Sequence, residues 1–146
     1  MTISANGQPA ITLVDDDYHS ARLLSRMLDA HGGPFVTRLG DPVAALDHLV
    51  AASAQPLAAG RNMALVDLKA SSTATRDFIV ALRREAPGLL VTAMAPSLDR
   101  DCRSALIDAG ATAVFERHAD LNLYRQEVAN IVGFWVRSQR LDAFGT

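Results

Sequence analysis

Two short apolar runs end in carboxylates: residues 11–17 have the sequence ITLVDDD and residues 63–67 have the sequence MALVD. Runs of this length that are rich in valine, isoleucine and leucine are typical of strands buried on both faces of a parallel sheet. Parallel strands end at the same edge of a sheet, and open α/β sheets place their sites at that edge. We therefore expect Asp15, Asp16 and Asp67 to lie within a few ångströms of one another.

These three carboxylates predict a cation site. Like charges held close together repel and raise one another's pKa, and a hard divalent cation relieves that repulsion. Mg²⁺ takes oxygen ligands from one or two carboxylates, from water and from phosphate. The alternative interpretation is that acidic residues at strand ends are solvated or cap helices. For Asp17, directly before a predicted helix, we favour an N-cap.

The rest of the chain alternates strands with helices. Further strands are predicted at residues 35–39, 89–95 and 113–116, and helices at residues 18–30, 42–52, 75–85, 98–109 and 120–141. Five strands that alternate with five helices predict a doubly wound five-stranded parallel sheet with helices on both faces.

Helix ends and inner faces follow from residue types. Asp41 and Pro42 provide an N-cap followed by proline at the first helical position, and Gly110 is a helix stop. The apolar spacing predicts the inner faces of the first two helices, which consist of Leu23, Leu24, Met27 and Leu28 in the first and Val43, Leu46, Leu49 and Val50 in the second.

Composition and length describe a globular chain. With 146 residues, nearly half of them apolar, we expect a flexible lead-in over residues 1–10 and one domain over residues 11–146 with an extended C-terminal helix. A net charge of −2 argues against direct DNA binding. Cys102 is the single cysteine, and neither a signal peptide nor a membrane span is visible, so we expect a cytoplasmic protein without membrane association.

The order of these motifs resembles the receiver domain of response regulators, a flavodoxin-like fold. The pattern consists of a strand ending in Asp15-Asp16, a strand about fifty residues later ending in Asp67, and Ala109-Gly110-Ala111 before the last strand. The resemblance is to stand-alone, chemotaxis-regulator-like receivers. It implies a two-component phosphorelay in which Asp67 accepts a phosphoryl group from a sensor histidine kinase or phosphotransfer protein.

The same resemblance implies roles for other residues. Asp16 would bind Mg²⁺ or Mn²⁺ directly, Asp15 would complete the shell or hold a coordinated water, and Asp67 and the backbone carbonyl of Lys69 would be further ligands. Arg117 occupies the position of the phosphate-binding lysine of the family. We expect the Lys69 side chain to be solvated, with screening of an acyl phosphate as the less favoured alternative.

Besides Arg117, which stands where the family has a lysine, two further positions depart from the receiver pattern. The position of the switch threonine or serine falls on Ala95, with Thr92 and Ser97 as nearby hydroxyls. The aromatic switch position falls on Val114, and Phe115 is expected on the opposite face of that strand. These departures keep open a second interpretation, a pseudo-receiver that binds partners without using phosphorylation.

A third interpretation is an enzyme. Asp15 and Asp17 form the Asp-x-Asp that opens phosphatases of the haloacid dehalogenase type, but that family needs a downstream lysine and a further acidic pair at a strand end, and Asp99 and Asp101 do not fit that context. We therefore expect a phosphoryl acceptor, with only self-catalysed phosphotransfer. Because the sequence stops soon after the last helix, we expect output through protein–protein interaction.

The last predicted helix carries more apolar residues than one face can bury. One stripe consists of Leu121, Tyr124, Val128, Ile131 and Trp135, whereas Phe134 and Leu141 lie off it. Phe134 and Trp135, with arginines nearby, predict an interface, and we expect a homodimer through this helix. The alternative is that the extra residues only cover the domain.

Overall fold

The computed structural model describes residues 10–54 and 62–143, with side chains described up to residue 139. Ten elements alternate along the chain: β1 (Ala10–Asp15), α1 (Tyr18–Ala30), β2 (Phe35–Leu39), α2 (Pro42–Ser53), β3 (Met63–Asp67), α3 (Ala74–Glu85), β4 (Leu90–Ala95), α4 (Arg100–Ala109), β5 (Ala113–Glu116) and α5 (Leu121–Ala143). The predicted lead-in lies outside the described residues except for Ala10, which is the first residue of β1.

All described strands form one parallel sheet in the order β2-β1-β3-β4-β5. The chain moves from β1 to one side and, after β2, returns to place β3 on the other side. This reversal between β1 and β3 opens a crevice at the carboxyl ends of the two strands, where doubly wound sheets bind ligands. The predicted sheet is confirmed.

The core has two parts, one on each face of the sheet. One face packs against α2, α3 and α4 through residues such as Leu49, Ile79 and Leu106. The other packs against α1 and α5 through residues such as Leu24, Val128 and Ile131. Successive strand residues alternate between the two, because side chains along a strand point to opposite faces. Helices therefore shield both faces of the sheet from water, which explains why the strand sequences are uninterrupted apolar runs.

The predicted helix signals are largely confirmed. Asp17 caps α1 by accepting hydrogen bonds from the amides of His19 and Ser20, and Asp41 caps α2 by accepting one from Ala44. Gly110 ends α4 with a φ of 129°, in the region that favours glycine.

Several boundaries and faces were predicted wrongly. Helix α4 begins at Arg100 rather than Leu98, because Asp99 accepts a hydrogen bond from the amide of Cys102 and so becomes the N-cap. Leu23 and Leu121 are exposed, and Val43, predicted inside α2, is 72% exposed while Ala45 is buried. None of the described helices has the length and hydropathy needed to cross a bilayer.

Candidate functional site

Two of the predicted carboxylates meet at the crevice between β1 and β3. Asp15 and Asp67 are the last residues of their strands and are paired with each other in the register of the parallel ladder. Both side chains have no solvent exposure. Two buried carboxylates on neighbouring strands require a compensating cation, since an unpaired buried charge is strongly unfavourable.

The compensating cation is the side chain of Lys69. Its Nζ lies 2.7 Å from Asp15 Oδ1 and 3.1 Å from Asp67 Oδ2, and it donates a hydrogen bond to the backbone carbonyl of Asp67 at 3.1 Å. The side chain is 21% exposed. The expectation of a solvated loop lysine was therefore wrong, because the chain turns after β3 and returns this side chain over the strand ends.

The third carboxylate faces a different partner. Asp16 accepts hydrogen bonds from the amide of Lys69 at 3.0 and 3.2 Å and from the amide of Ala70 at 3.0 Å. Among the described residues, no three acidic, histidine or cysteine side chains are grouped as a metal site. The amides of the loop after β3 therefore hold Asp16, whereas the Lys69 side chain bridges Asp15 and Asp67.

Arg117 reaches the same site from β5. Its guanidinium forms an ion pair and hydrogen bond with Asp67 Oδ1, and its backbone amide donates to the carbonyl of Ala95 at 2.7 Å. The second contact fixes the start of the Arg117 side chain beside the end of β4. Asp67 consequently has one cation on each carboxylate oxygen, Arg117 on Oδ1 and Lys69 on Oδ2.

The charges at the site change proton affinities. Burial raises the pKa of Asp67, and the charge of Asp15 raises it further, whereas Lys69 and Arg117 act in the opposite direction. The expected rise is therefore found, but removal from water is its main cause rather than repulsion between carboxylates.

The loop after Asp67 is tied back to α3. The hydroxyl of Thr75 accepts a hydrogen bond from the amide of Leu68 at 2.9 Å and donates one to the carbonyl of the same residue at 3.2 Å. Both residues are buried. This double contact positions the backbone between Asp67 and Lys69, so the ammonium starts from a fixed point.

The positions that depart from the receiver pattern are packed with apolar atoms. Ala95 and Val114 are buried in the core beside α2, α3 and α4, and Phe115 lies in the opposite core, as expected. Thr92 is buried and its hydroxyl donates to the carbonyl of Ala64 at 3.0 Å. Ser97 accepts a hydrogen bond from the amide of Asp99. Both nearby hydroxyls therefore have local structural roles.

Tyr124 on α5 is a site neighbour that the sequence analysis placed only in the core stripe. It is buried, and its hydroxyl has no hydrogen-bond partner among the described residues. Burial raises its pKa, and the charges of Asp67 and Asp15 raise it further, so the ring lies within electrostatic range of the site. Its position on a regular apolar stripe concealed this proximity.

The donor chemistry of the site fits a hard cation. Asp15 Oδ2 and Asp67 Oδ2 are buried without a hydrogen-bond partner among the described residues. Together with Asp16 and the Lys69 carbonyl they are oxygen ligands of the kind that Mg²⁺ and Mn²⁺ prefer. The Lys69 ammonium lies against the carboxylates of Asp15 and Asp67.

The raised pKa of Asp67 predicts that its ionised form reduces stability. A carboxyl group with a higher pKa in the folded than in the unfolded state stabilises the fold at low pH, and that contribution is lost as the pH rises through the folded-state pKa. We expect Asp67→Asn to increase the free energy of unfolding at pH 7 by on the order of 1 kcal/mol. Urea unfolding at several pH values should show the gain shrinking on acidification.

Asp77→Asn is the matched control for this prediction. Asp77 is exposed, and hydrogen bonds from Arg76 and Thr73 lower its pKa, so neutralising it should give no gain. A loss of stability in Asp67→Asn at pH 7 would contradict the expectation and show that the two ion pairs outweigh the burial of the charge.

The predicted interface residues on α5 are half-buried. The ring of Phe134 packs edge-on against that of Phe115, with 6.1 Å between centroids, and Trp135 also packs against the core beside α1. Val136, next to them, is exposed. Tyr124, Val128 and Ile131 are buried, which confirms the central part of the predicted stripe.

Comparisons with known proteins identify the fold. No protein-family model and no curated protein sequence matches the chain. A response regulator receiver domain from Rhodospirillum rubrum is similar in structure, with a TM-score of 0.74, 18% sequence identity, and coverage of 89% of this chain and 95% of that one.

Two further structures support the same assignment. The phosphorylated cyanobacterial phytochrome response regulator RcpA has a TM-score of 0.69 at 20% identity, covering 88% of this chain and 94% of that one. The Mn²⁺-bound form of the response regulator Rcp1 has a TM-score of 0.69 at 19% identity, covering 89% and 96%. The chain therefore has the fold of response regulator receiver domains, as the sequence predicted.

Proposed function

From the receiver fold and the acidic crevice at the centre of its sheet, we propose that this chain is a response regulator that accepts a phosphoryl group on Asp67. The donor is a phosphohistidine on a partner histidine kinase or phosphotransfer protein. The observation that carries the proposal is the placement of Asp67, which is buried at the end of β3 with Arg117 on one oxygen and Lys69 on the other.

The reaction transfers one phosphoryl group between two nucleophiles. A carboxylate oxygen of Asp67 attacks phosphorus, the phosphorus–nitrogen bond to the donor histidine breaks, and that nitrogen takes up a proton. The product is an acyl phosphate on Asp67. Arg117 already contacts Asp67, so its guanidinium is available to the phosphoryl oxygens, where a fixed cation stabilises the developing charge. The Asp67 carboxyl group must be ionised to attack phosphorus. Its raised pKa therefore sets the lower pH limit of the phosphorylation reaction.

A divalent cation, Mg²⁺ or Mn²⁺, is part of the proposal. Asp15, Asp16, Asp67 and the backbone carbonyl of Lys69 would hold it, and when bound it would neutralise charge on the phosphoryl oxygens. Asp16 would have to exchange its bonds to the amides of Lys69 and Ala70 for this role.

A pseudo-receiver is the second candidate, and a specific observation favours it. Lys69 and Arg117 already neutralise the charge of Asp67 in the unphosphorylated site, and the buried Ala95 has no hydroxyl to bond a phosphoryl group. In both cases the output would be protein–protein interaction. The side chain of Asp17 caps α1 and does not join Asp15 in a common site, which argues against the phosphatase alternative.

Incubation with acetyl phosphate and Mg²⁺ tests the proposal. Intact-protein mass spectrometry should show the gain of one phosphoryl group, and a generic phosphomonoester should not be turned over repeatedly. A protein that gains no phosphoryl group from acetyl phosphate, phosphoramidate or a phosphorylated kinase would be a pseudo-receiver.

The proposal includes a homodimer through the C-terminal turns of α5. Val136 is exposed in the same turns of α5 as the half-buried Phe134 and Trp135, and a symmetric pair would cover it on both subunits. Since Phe134 also contacts Phe115, we expect Val136→Glu to separate the subunits with less damage to the core. Light scattering at tens of micromolar should show a wild-type dimer and a monomeric variant.

Leu123→Glu is the control for the dimer. Leu123 is exposed near the start of the same helix, 47% by area, and this variant should stay dimeric. A monomeric wild type would contradict the proposed dimer, and a dimer that survives Val136→Glu would place the contact on another surface.

A further inference from the structure

The acidic crevice has its own counter-ions. Asp15 and Asp67 contribute two buried negative charges, and the cations in contact with them are Lys69 and Arg117. Asp16 is held separately by two backbone amides. The charges on the two buried carboxylates are thus balanced by side chains of the chain itself.

The environment of the Lys69 ammonium is that of a bound cation. Three oxygen atoms surround Nζ: Asp15 Oδ1 at 2.7 Å, Asp67 Oδ2 at 3.1 Å and the carbonyl oxygen of Asp67 at 3.1 Å. Two of these oxygens belong to side chains that a divalent ion would need as ligands. The ammonium and a divalent ion therefore compete for the same carboxylates.

The competition also involves the backbone of the same residue. The backbone amide of Lys69 donates a hydrogen bond to Asp16, and its side-chain ammonium donates one to Asp15. The two neighbouring aspartates therefore bind both the backbone and the side chain of Lys69. If Asp16 turns toward an ion, it releases the amide, and if Asp15 and Asp67 bind the ion, they release the ammonium. Both changes loosen the first residues after the point that Thr75 fixes at Leu68.

We propose that Lys69 is an intramolecular counter-ion that closes the acidic site and that a divalent cation binds only by displacing its ammonium. The site is then complete without metal, and its metal affinity is set by the ion pairs of Lys69. This inference concerns the charge balance of the site and does not depend on phosphoryl transfer.

Calorimetric titration with Mn²⁺, without any phosphoryl donor, tests the affinity. Lys69→Gln keeps much of the side-chain length but removes the charge, and we expect it to bind Mn²⁺ about tenfold more tightly than wild type, or more, a factor that corresponds to ~1.4 kcal/mol. Arg76→Gln removes one charge from an exposed residue of α3 that pairs with Asp77, and it should bind like wild type. Equal affinities in wild type and Lys69→Gln would overturn the proposal.

A second measurement uses the wild type and so does not depend on the folding of a variant. Lys69 is the only lysine of the sequence, so an amine-reactive ester can label only Lys69 and the N-terminus. Peptide mass spectrometry should show slow labelling of Lys69 in chelator and several-fold faster labelling once titration shows the Mn²⁺ site occupied. Unchanged labelling at an occupied site would mean that the ammonium stays in place, and the proposal would fail.

These outcomes are independent of the proposed phosphorylation. A protein that accepts no phosphoryl group can still show tighter Mn²⁺ binding in Lys69→Gln and metal-dependent labelling. Conversely, phosphorylation of Asp67 combined with metal-insensitive labelling would retain the proposed function and reject the counter-ion role of Lys69.

Discussion

Asp67→Asn should abolish phosphoryl acceptance completely. An amide is far less nucleophilic than a carboxylate, and no other acidic side chain among the described residues has a cation on each of its oxygens. The substitution preserves shape at a fully buried position, so the loss would reflect chemistry rather than unfolding. Intact-protein mass spectrometry after incubation with acetyl phosphate should show one added phosphoryl group on the wild type and none on the variant.

Asp77→Asn is a suitable companion variant here too. It removes a carboxylate from the exposed face of α3, and it should gain one phosphoryl group like wild type. Peptide mapping of the wild type must place the group on the peptide that contains Asp67. A phosphoryl group that persists in Asp67→Asn would show that another residue is the acceptor.

Arg117→Ala should slow phosphorylation by about a hundredfold, the usual effect of removing one fixed group that stabilises transition-state charge. The guanidinium contacts Asp67 directly, and the backbone of Arg117 donates a hydrogen bond to Ala95, so the side chain starts from a fixed point beside the acceptor. Arg117→Lys keeps the charge on a shorter, more flexible donor and should recover part of the rate. The measurement is the initial rate of mass gain at fixed donor concentration.

Arg76→Ala controls for general loss of positive charge, since Arg76 is exposed and pairs only locally with Asp77. This variant should react at close to the wild-type rate. If Arg117→Ala reacts as fast as Arg76→Ala, Arg117 serves only to neutralise Asp67 in the unphosphorylated site, which would strengthen the pseudo-receiver interpretation.

The fold was predictable because its signals are local. Strands β1 and β3 are short apolar runs with abrupt polar ends, and Asp17, Asp41 and Gly110 lie where helix ends need them. The orientation of α2 was not predictable in the same way. Its residues are apolar on most sides, so periodicity could not distinguish the exposed Val43 from the buried Ala45.

The candidate site was predictable in its position but not in its bonding. The register of a parallel pair brings Asp15 next to Asp67, and Arg117, directly after β5 at the same edge of the sheet, contacts Asp67. Side-chain conformations in a loop depend on partners that are distant in sequence. The local sequence therefore could not predict that Lys69 turns inward or that backbone amides bind Asp16.

The pairing of Asp15 with Asp67 also has a consequence for folding. These residues are distant in sequence, and the ladder between β1 and β3 forms the middle of the sheet. Closing such a long loop already costs conformational entropy, and here the same event forces two carboxylates together. Because Lys69 lies only two residues after Asp67, β3 carries the counter-ion of both carboxylates with it when it pairs with β1.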